Sequence, residues 1–487
     1  MKPFYETNIV LNPDYRIRLD GKRALIINVK EQSETPKITH PMLAAMFSFF
    51  KGDKCLGAVC DEISAFFDMP KDKTESLVSG LINNKANTKI KYDGTVFYFP
   101  ADMLVENKCG TVRDDLDTEA VLLPPPYDFE TLRLSSPVDV LFVINTKCVT
   151  DCVYCYADKK TQYQPMPTDR ILEVIDEAYD IGVRTFELSG GEVFLHKDWG
   201  RIVKKLLDYG YCDFISTKVP LSRRQIDEVA DTGLKTLQIS LDSLNPKTLA
   251  HNLNVGEEYC RQMKESLLYL DTKDIEIIIK GTHTKYTFNK ENVTEIVDFI
   301  SGLKHLKKYT VSTIGASMYK SNESFQMLKP TLAQVREVYD YLNGLDCGFY
   351  IQNDDQTIQR DELCNIQKFN GRTLCSGNVL GLTILPDGKV TICEELYWNP
   401  DFIIGDLMQS RLIDAWNSEK ALSLWNVSQS VFPEESACST CQDFARCRRG
   451  AGVCWKYIMG VYGRENWLYP DPRCPKAPKP INDIFYD

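Results

Sequence analysis

Seventeen cysteines against only five histidines, in a chain of 487 residues, are the side chains of this sequence best suited to chemistry. Three of them stand as Cys148-x3-Cys152-x2-Cys155. Three thiolates on one short loop can hold three irons of a [4Fe–4S] cube and leave the fourth iron without a protein ligand. A zinc loop is the plain alternative, but a structural zinc site wants four protein ligands, and no fourth Cys or His lies nearby in the sequence. A second field runs Cys375, Gly388-x4-Cys393, Cys438-x2-Cys441-x5-Cys447, Cys454 and Cys474. Paired knuckles of this kind could be zinc ribbons or further iron–sulfur ligands. Cys55, Cys60, Cys109, Cys212, Cys260 and Cys347 show no ligand spacing and are expected to be buried small hydrophobes.

The elements that must position these thiols follow a strand–loop–helix rhythm. Strand patterns fall at 138–144, 184–188, 213–217, 235–241, 275–280 and 309–314. Amphipathic helical patterns fall near 169–181, 198–209, 222–232, 257–270, 290–302 and 331–344. Six such units predict an α/β fold, a parallel sheet with right-handed crossovers closed into an open or partial (β/α)6 barrel over 137–345. Chemistry in such folds collects at the C-terminal strand ends. Cys148 follows the first strand, and Ser189-Gly190-Gly191-Glu192 follows the second.

Residues 1–105 read as a small winged-helix-like α+β module, with short strand runs, three helical patterns near 40–50, 56–68 and 74–84, and a hairpin around Asp93-Gly94. Residues 106–136, rich in Pro, Asp and Thr, read as a linker. Over 346–487 the periodicity fades and the remaining cysteines crowd in.

The segment from Cys148 to Cys155, with Tyr154 in the aromatic slot, and the Gly190-Gly191-Glu192 turn closely resemble the radical S-adenosylmethionine (SAM) superfamily. The resemblance implies that Cys148, Cys152 and Cys155 bind a [4Fe–4S] cluster. It also implies that Tyr154, Ser189, Gly190, Gly191 and Glu192 bind SAM, the carbonyls and Glu192 engaging the methionine ammonium. Strand ends carrying Ser216, Lys218, Ser240 and Asp242 would reach the SAM ribose and carboxylate; loop capping is the plainer role for each. His196 and His251 near these ends are expected to be solvated loop histidines.

The C-terminal field resembles the SPASM extension of radical SAM enzymes, which holds two auxiliary [4Fe–4S] clusters. By resemblance Cys375, Cys393 and Cys454 hold the inner one, with Cys364 as candidate fourth ligand, and Cys438, Cys441, Cys447 and Cys474 hold the outer one. One departure stands out: six residues separate Cys447 from Cys454, where the pattern has three. Without Cys364, the inner cluster would have an open iron able to bind a substrate thiolate.

The N-terminal module resembles the RiPP recognition element, which binds a leader peptide as an added strand beside its third strand, here expected at residues 24–29. The three parts together resemble thioether-forming maturases of ribosomal peptides (sactipeptide and ranthipeptide, freyrasin-like ones included). This implies Cys-sulfur-to-carbon crosslinking of a leader-bearing precursor, three [4Fe–4S] clusters, SAM, and a reducing partner such as flavodoxin or ferredoxin. Another crosslink or an epimerisation is the first alternative. Anaerobic sulfatase maturases are a further relative; they carry an Asp where Glu394 follows Cys393, so Glu394 is a candidate base. They lack the N-terminal module. A non-catalytic zinc-rich peptide scaffold is the alternative from another class.

Composition limits the partners. Net charge is −11, against a nucleic-acid backbone as main partner. No stretch reaches the ~18 to 20 apolar residues of a membrane helix, and the first residues lack an apolar signal core, so a cytoplasmic protein with no membrane partner is expected.

Overall fold

The computed structural model describes residues 4–31, 34–82, 84–157, 161, 163–211, 214–353 and 363–484. The chain divides into two compact units, Met1–Ser136 and Pro137–Asp487.

In the first unit, β1 (Asn8–Leu11) pairs antiparallel with both β5 (Lys51–Cys55) and β8 (Leu104–Glu106). A second antiparallel sheet has the order β2 (Tyr15–Asp20), β3 (Arg23–Asn28), β4 (Lys37–Thr39). The hairpin β6 (Thr88–Tyr92) and β7 (Thr95–Phe99) turns at Asp93 and Gly94, both at positive φ as a tight two-residue hairpin turn requires. Helices α1 (Pro41–Phe47), α2 (Leu56–Phe67) and α3 (Lys71–Leu81) bury Phe47, Leu56, Ile63 and Val78 in a core shared with Leu11 and Phe99.

Two features differ from the sequence reading. The strand at 24–29, expected to offer a free edge, is the middle strand of its sheet: Ala24, Leu25 and Ile26 pair with Thr39, Ile38 and Lys37, and the other side pairs with β2. The edges are β2 and β4. Residues 106–136, expected to connect two domains, belong to this unit: Glu106 ends β8 and the rest packs against the unit. Leu116 and Val121 join its core, and buried Arg113 donates to the Leu11 and Tyr15 carbonyls. Asp20 accepts from the Ser135 amide at 2.7 Å. A segment without regular structure reads as a linker, yet side-chain-to-backbone bonds can fix it as firmly as a strand.

In the second unit, β9 (Asp139–Val143) lies between β10 (Thr185–Ser189) and β16 (Gly381–Ile384), parallel to both; β17 (Lys389–Thr391) and β18 (Ile403–Asp406) continue that sheet antiparallel. The other sheet is all parallel: β11 (Ile215–Thr217), β12 (Thr236–Ser240), β13 (Glu276–His283), β14 (Leu306–Thr313) and β15 (Tyr350–Asn353). Helices α4 (Thr168–Asp180), α5 (Trp199–Asp208), α6 (Arg223–Thr232), α7 (Pro246–Leu253), α8 (Glu258–Leu270), α9 (Lys290–Ile300), α10 (Asn322–Leu328) and α11 (Leu332–Asn343) run between the strands. The six strand patterns and six helical patterns are all present within a few residues, apart from residue 213, which lies outside the described residues. Helix α7 was not read from the sequence, although Asn245 caps it through the Thr248 amide and Pro246 opens it. Strands β15 and β16 lie beyond residue 345 yet complete the two sheets. Among the described residues no helix is long and apolar enough to cross a membrane.

Candidate functional site

Strand β9 ends at Val143, and the chain runs through Asn145 and Lys147 into the loop bearing Cys148, Cys152 and Cys155. The chain leaving β10 passes directly against this run. Gly190 has φ +150°, and a Cβ there would lie 2.5 Å from the Asn145 carbonyl; at Gly191 it would collide with the Lys147 carbonyl. Both glycines are therefore dictated by backbone approach. The Gly191 amide donates to the Asn145 carbonyl at 2.8 Å.

On the loop, the Thr150 hydroxyl sits 3.2 Å from the Cys148 sulfur and 3.4 Å from that of Cys152, drawing the two thiols round one group. Cys152 is buried, and burial pushes its thiol up. The Asp151 and Val153 amides donate to the Leu253 and Asn252 carbonyls at 2.9 Å, fastening the loop to the end of α7. Three thiols on a loop so pinned fit a cluster with one iron left for another ligand.

Glu192 is 3% exposed and accepts from the Thr217 hydroxyl at 2.8 Å and the Phe194 amide at 3.2 Å; burial pushes its carboxyl up to about 6. Ser189, Gly190 and Gly191 line a cavity of about 30 Å³ with Tyr156, Tyr397 and Glu394. The Tyr156 hydroxyl donates to Glu394 at 3.3 Å, and burial pushes that carboxyl up. The structure thus brings Glu394 to the glycine turn. It gives other partners to the strand-end residues: Ser216 accepts from Gln238 at 2.7 Å, and Asp242 is buried against Lys218 and Tyr154. Ser240 is half-buried at the end of β12. His196 accepts from the Asp198 amide, and His251 lies in α7 rather than in a loop.

In the C-terminal part, Cys438, Cys441, Cys447 and Cys474 all line one cavity of about 300 Å³. Cations reach three of the four sulfurs: Arg448 Nη2 at 3.3 Å from Cys438, Arg372 Nη2 at 3.2 Å from Cys447, and Lys476 Nζ at 3.7 Å from Cys441. Four thiols and three cations round one cavity fit an anionic thiolate-bound cluster. Cys375, Cys393 and Cys454 form a second electrostatically coupled set, and burial pushes Cys393 up to about 12 and Cys454 to about 11. Thiolates so desolvated need a positive centre beside them, as a cluster would supply. The long gap from Cys447 to Cys454 is accommodated by a π-helical turn over Arg446–Ala451. Cys364 is exposed, as is Cys375, and stands immediately before the helix Asn365–Asn370. Among the described residues, no three His, Cys, Asp or Glu side chains converge on a point suited to a single metal ion.

Of the six remaining cysteines, Cys60 and Cys260 are buried and Cys347 is half-buried. Cys55 and Cys109 are exposed, against expectation: each sits at an element end or turn where the chain meets solvent. Cys212 lies outside the described residues. Sequence reasoning missed Thr150, Tyr156, Arg372, Arg448 and Lys476. Arg448 adjoins Cys447, Lys476 follows Cys474 by two and Arg372 precedes Cys375 by three, so cations flanking cysteines were the available signal.

Comparison with known proteins identifies two domains in the chain. Residues 142–320 match the radical SAM superfamily and residues 375–442 match SPASM, an iron–sulfur cluster-binding domain. A PqqA peptide cyclase of Rhizobium meliloti (strain 1021) is 22% identical over 361 residues, which are 71% of this chain and 89% of that protein. A GTP 3',8-cyclase of Aquifex aeolicus (strain VF5) is 27% identical over 184 residues, 35% of this chain and 55% of that one. Among solved structures, Streptococcus suis SuiB bound to S-adenosylmethionine superposes with a TM-score of 0.63 at 14% identity, covering 96% of this chain and 100% of that one. SuiB bound to its precursor peptide SuiA superposes at 0.61 and 16% identity, over 96% and 100%. The chain carries a radical SAM domain followed by a SPASM iron–sulfur cluster-binding domain.

Proposed function

We propose that this enzyme modifies a ribosomally made, leader-bearing peptide, installing a thioether between a cysteine sulfur and a carbon of the same peptide. The observation that carries the reading is the order of parts: a separate α+β unit, a radical SAM domain, and a cysteine field whose two coupled sets fit two further clusters. When bound, a [4Fe–4S] cluster and SAM supply a deoxyadenosyl radical for hydrogen abstraction. Cys148, Cys152 and Cys155 would hold that cluster in a partial barrel, and the Ser189–Gly191 turn would cradle SAM. Glu394, desolvated and hydrogen-bonded by Tyr156 beside that turn, is placed to accept the proton released as the new bond forms, and the electron released with it would pass to an auxiliary cluster. Cys375, Cys393 and Cys454 would hold the inner auxiliary cluster, and Cys438, Cys441, Cys447 and Cys474 the outer one. Flavodoxin or ferredoxin is the class of reductant that fits, in the cytoplasm. The first unit would hold the leader.

SuiB crystallised with a precursor peptide, and a curated relative is a peptide cyclase; both support a peptide substrate. The latter also favours a second reading, peptide cyclisation through another bond. Anaerobic incubation of the reconstituted enzyme with SAM and the candidate precursor separates the two. A thioether removes two hydrogen atoms and one alkylatable thiol per crosslink. Loss of the hydrogens with every thiol still alkylatable selects the second reading. An unmodified peptide, with SAM uncleaved, overturns both.

A further inference from the structure

Asp242 and Lys218 lie at strand ends where a SAM contact was expected, but their polar atoms are already taken up by one another and by the cluster loop. Asp242 is 1% exposed, and each of its oxygens is doubly occupied. Oδ1 accepts from Lys218 Nζ at 3.1 Å and from the Thr282 amide at 2.9 Å. Oδ2 accepts from Lys218 Nζ at 2.9 Å and from the Tyr154 hydroxyl. A carboxylate has about four lone-pair sites, and all four are filled. The ammonium of Lys218 divides its donors between this carboxylate and the Tyr154 oxygen, at 3.0 Å. The backbone of the pair is held as well: the Tyr259 hydroxyl donates to the Lys218 carbonyl, and Asn292 Nδ2 donates to the Asp242 carbonyl at 2.9 Å.

Tyr154 stands between Cys152 and Cys155. Its hydroxyl is therefore a point at which the ends of β11 and β12 reach the thiol loop, in addition to the backbone bonds from Asp151 and Val153 to the end of α7. We infer that Lys218 and Asp242 are positioning residues that fix the thiol loop through the Tyr154 hydroxyl, and that neither contacts SAM. The inference rests on the reading that Cys148, Cys152 and Cys155 are cluster ligands, but the hydrogen bonds it is argued from hold the loop through Tyr154 and not through these thiols. A buried ion pair suits this task, because removing one partner leaves the other charge unpaired and its alternatives few.

The test is hydrogen exchange by mass spectrometry on the metal-free, full-length protein. Tyr154→Phe keeps the ring and the ion pair and removes only the hydroxyl. The amides of Asp151, Val153 and Cys155 are expected to exchange about ten- to a hundredfold faster, the equivalent of one hydrogen bond to a charged group. Peptides from β13 and α9 should be unchanged. Lys218→Met should loosen the loop more than the double variant Lys218→Met/Asp242→Asn, which removes the orphaned charge, and Lys218→Arg should restore protection. Unchanged exchange at the three amides overturns the inference, whatever happens to SAM binding. So does a Lys218→Met variant whose only defect is SAM affinity. Iron content of a Cys148→Ala/Cys152→Ala/Cys155→Ala variant tests the ligand reading separately. If it matches wild type, the ligand reading fails, while the exchange data still decide the latch.

Discussion

Arg448 donates through Nη2 to the Cys438 sulfur at 3.3 Å and to the Tyr469 carbonyl at 2.8 Å, so one buried guanidinium ties a cysteine knuckle to the segment leading into Cys474. The same guanidinium lies 4.8 Å from the Phe432 ring centre. Cations and hydrogen bonds at cluster sulfurs favour the more reduced, more negative state. Arg448→Met is therefore expected to lower the midpoint potential of the outer cluster. It should also destabilise this part of the chain by about 1.5 to 3 kcal/mol, the worth of a hydrogen bond to a charged group. Potentiometric titration followed by electron paramagnetic resonance measures the first, and thermal denaturation the second. An unchanged potential would show that the guanidinium is purely structural.

Replacing Cys148, Cys152 and Cys155 together with Ala should abolish SAM cleavage and remove about four of roughly twelve irons, since the coupled thiol sets elsewhere do not share these residues. Iron analysis and anaerobic deoxyadenosine assays check both outcomes. Deoxyadenosine from the triple variant would remove the loop from the chemistry.

The repeating βα units were legible because hydrophobic periodicity records burial one residue at a time: Val140 and Phe142 on β9, or Ile277 and Ile279 on β13, alternate with less buried neighbours. The thiol clusters were legible because ligand spacing is local. What the sequence hid is long-range. Nothing near Lys218 marks it as the partner of Asp242, and β16 reaches β9 from more than two hundred residues away. Residues 106–136 have a linker's composition because their anchoring combines hydrogen bonds, such as Arg113 to the Tyr15 carbonyl and the Ser135 amide to Asp20, with isolated core residues, Leu116 and Val121, rather than an apolar stripe. The six-residue gap before Cys454 became intelligible only through the π-helical turn.

Cys364 and Cys454 should behave differently. Half-buried Cys454 lies within electrostatic reach of Cys375 and Cys393, whereas Cys364 opens the helix Asn365–Asn370 outside that set. Cys454→Ser is expected to lose about four irons, and Cys364→Ser to lose none. Equal iron loss from both would place Cys364 in the inner set.

Acid sensitivity should trace in part to His283. It is fully buried beside Asp242 and Lys218, packs over Gly281, has neither ring nitrogen hydrogen-bonded, and burial pushes its pKa down to about 4. The unfolded chain takes up this proton near pH 6.5, so between roughly 6.5 and 4 it binds more protons than the folded one, and stability falls with falling pH. The loss amounts to about 3 kcal/mol by pH 4. Glu192, raised to about 6, tilts the other way over its own window, losing stability as pH rises. Comparing wild type with His283→Leu isolates the histidine: the variant should gain on wild type as pH drops from 6.5 to 4. A constant difference in melting temperature across that range would show that His283 does not titrate there.

The remaining prediction concerns the first unit as leader holder. Strand addition needs an unpaired edge, and the strand at 24–29 has none over Ala24 to Ile26, because β4 covers it. The outer edge of β4, which runs through His40 into α1, has no strand paired to it, although Thr39 is buried and β4 lies beside β7. A leader added there would gain main-chain hydrogen bonds along β4, with its side chains reading the adjacent surface. Affinity would then reside in the first unit, while the radical SAM domain meets only the core peptide. The unit ends at Ser136, so a truncation that begins at Pro137 removes it whole, where one ending at residue 105 would strip Arg113, Leu116 and Val121 from their partners. The truncated enzyme is expected to retain iron and slow SAM cleavage and to lose leader binding. Modification of the full precursor should fall by the tethering gain, which can reach ~10² to 10⁴ fold. Fluorescence polarisation with labelled leader, and mass spectrometry of the precursor, measure the two. Equal leader affinity with and without the unit would leave β4 as an ordinary sheet edge and place recognition elsewhere on the chain.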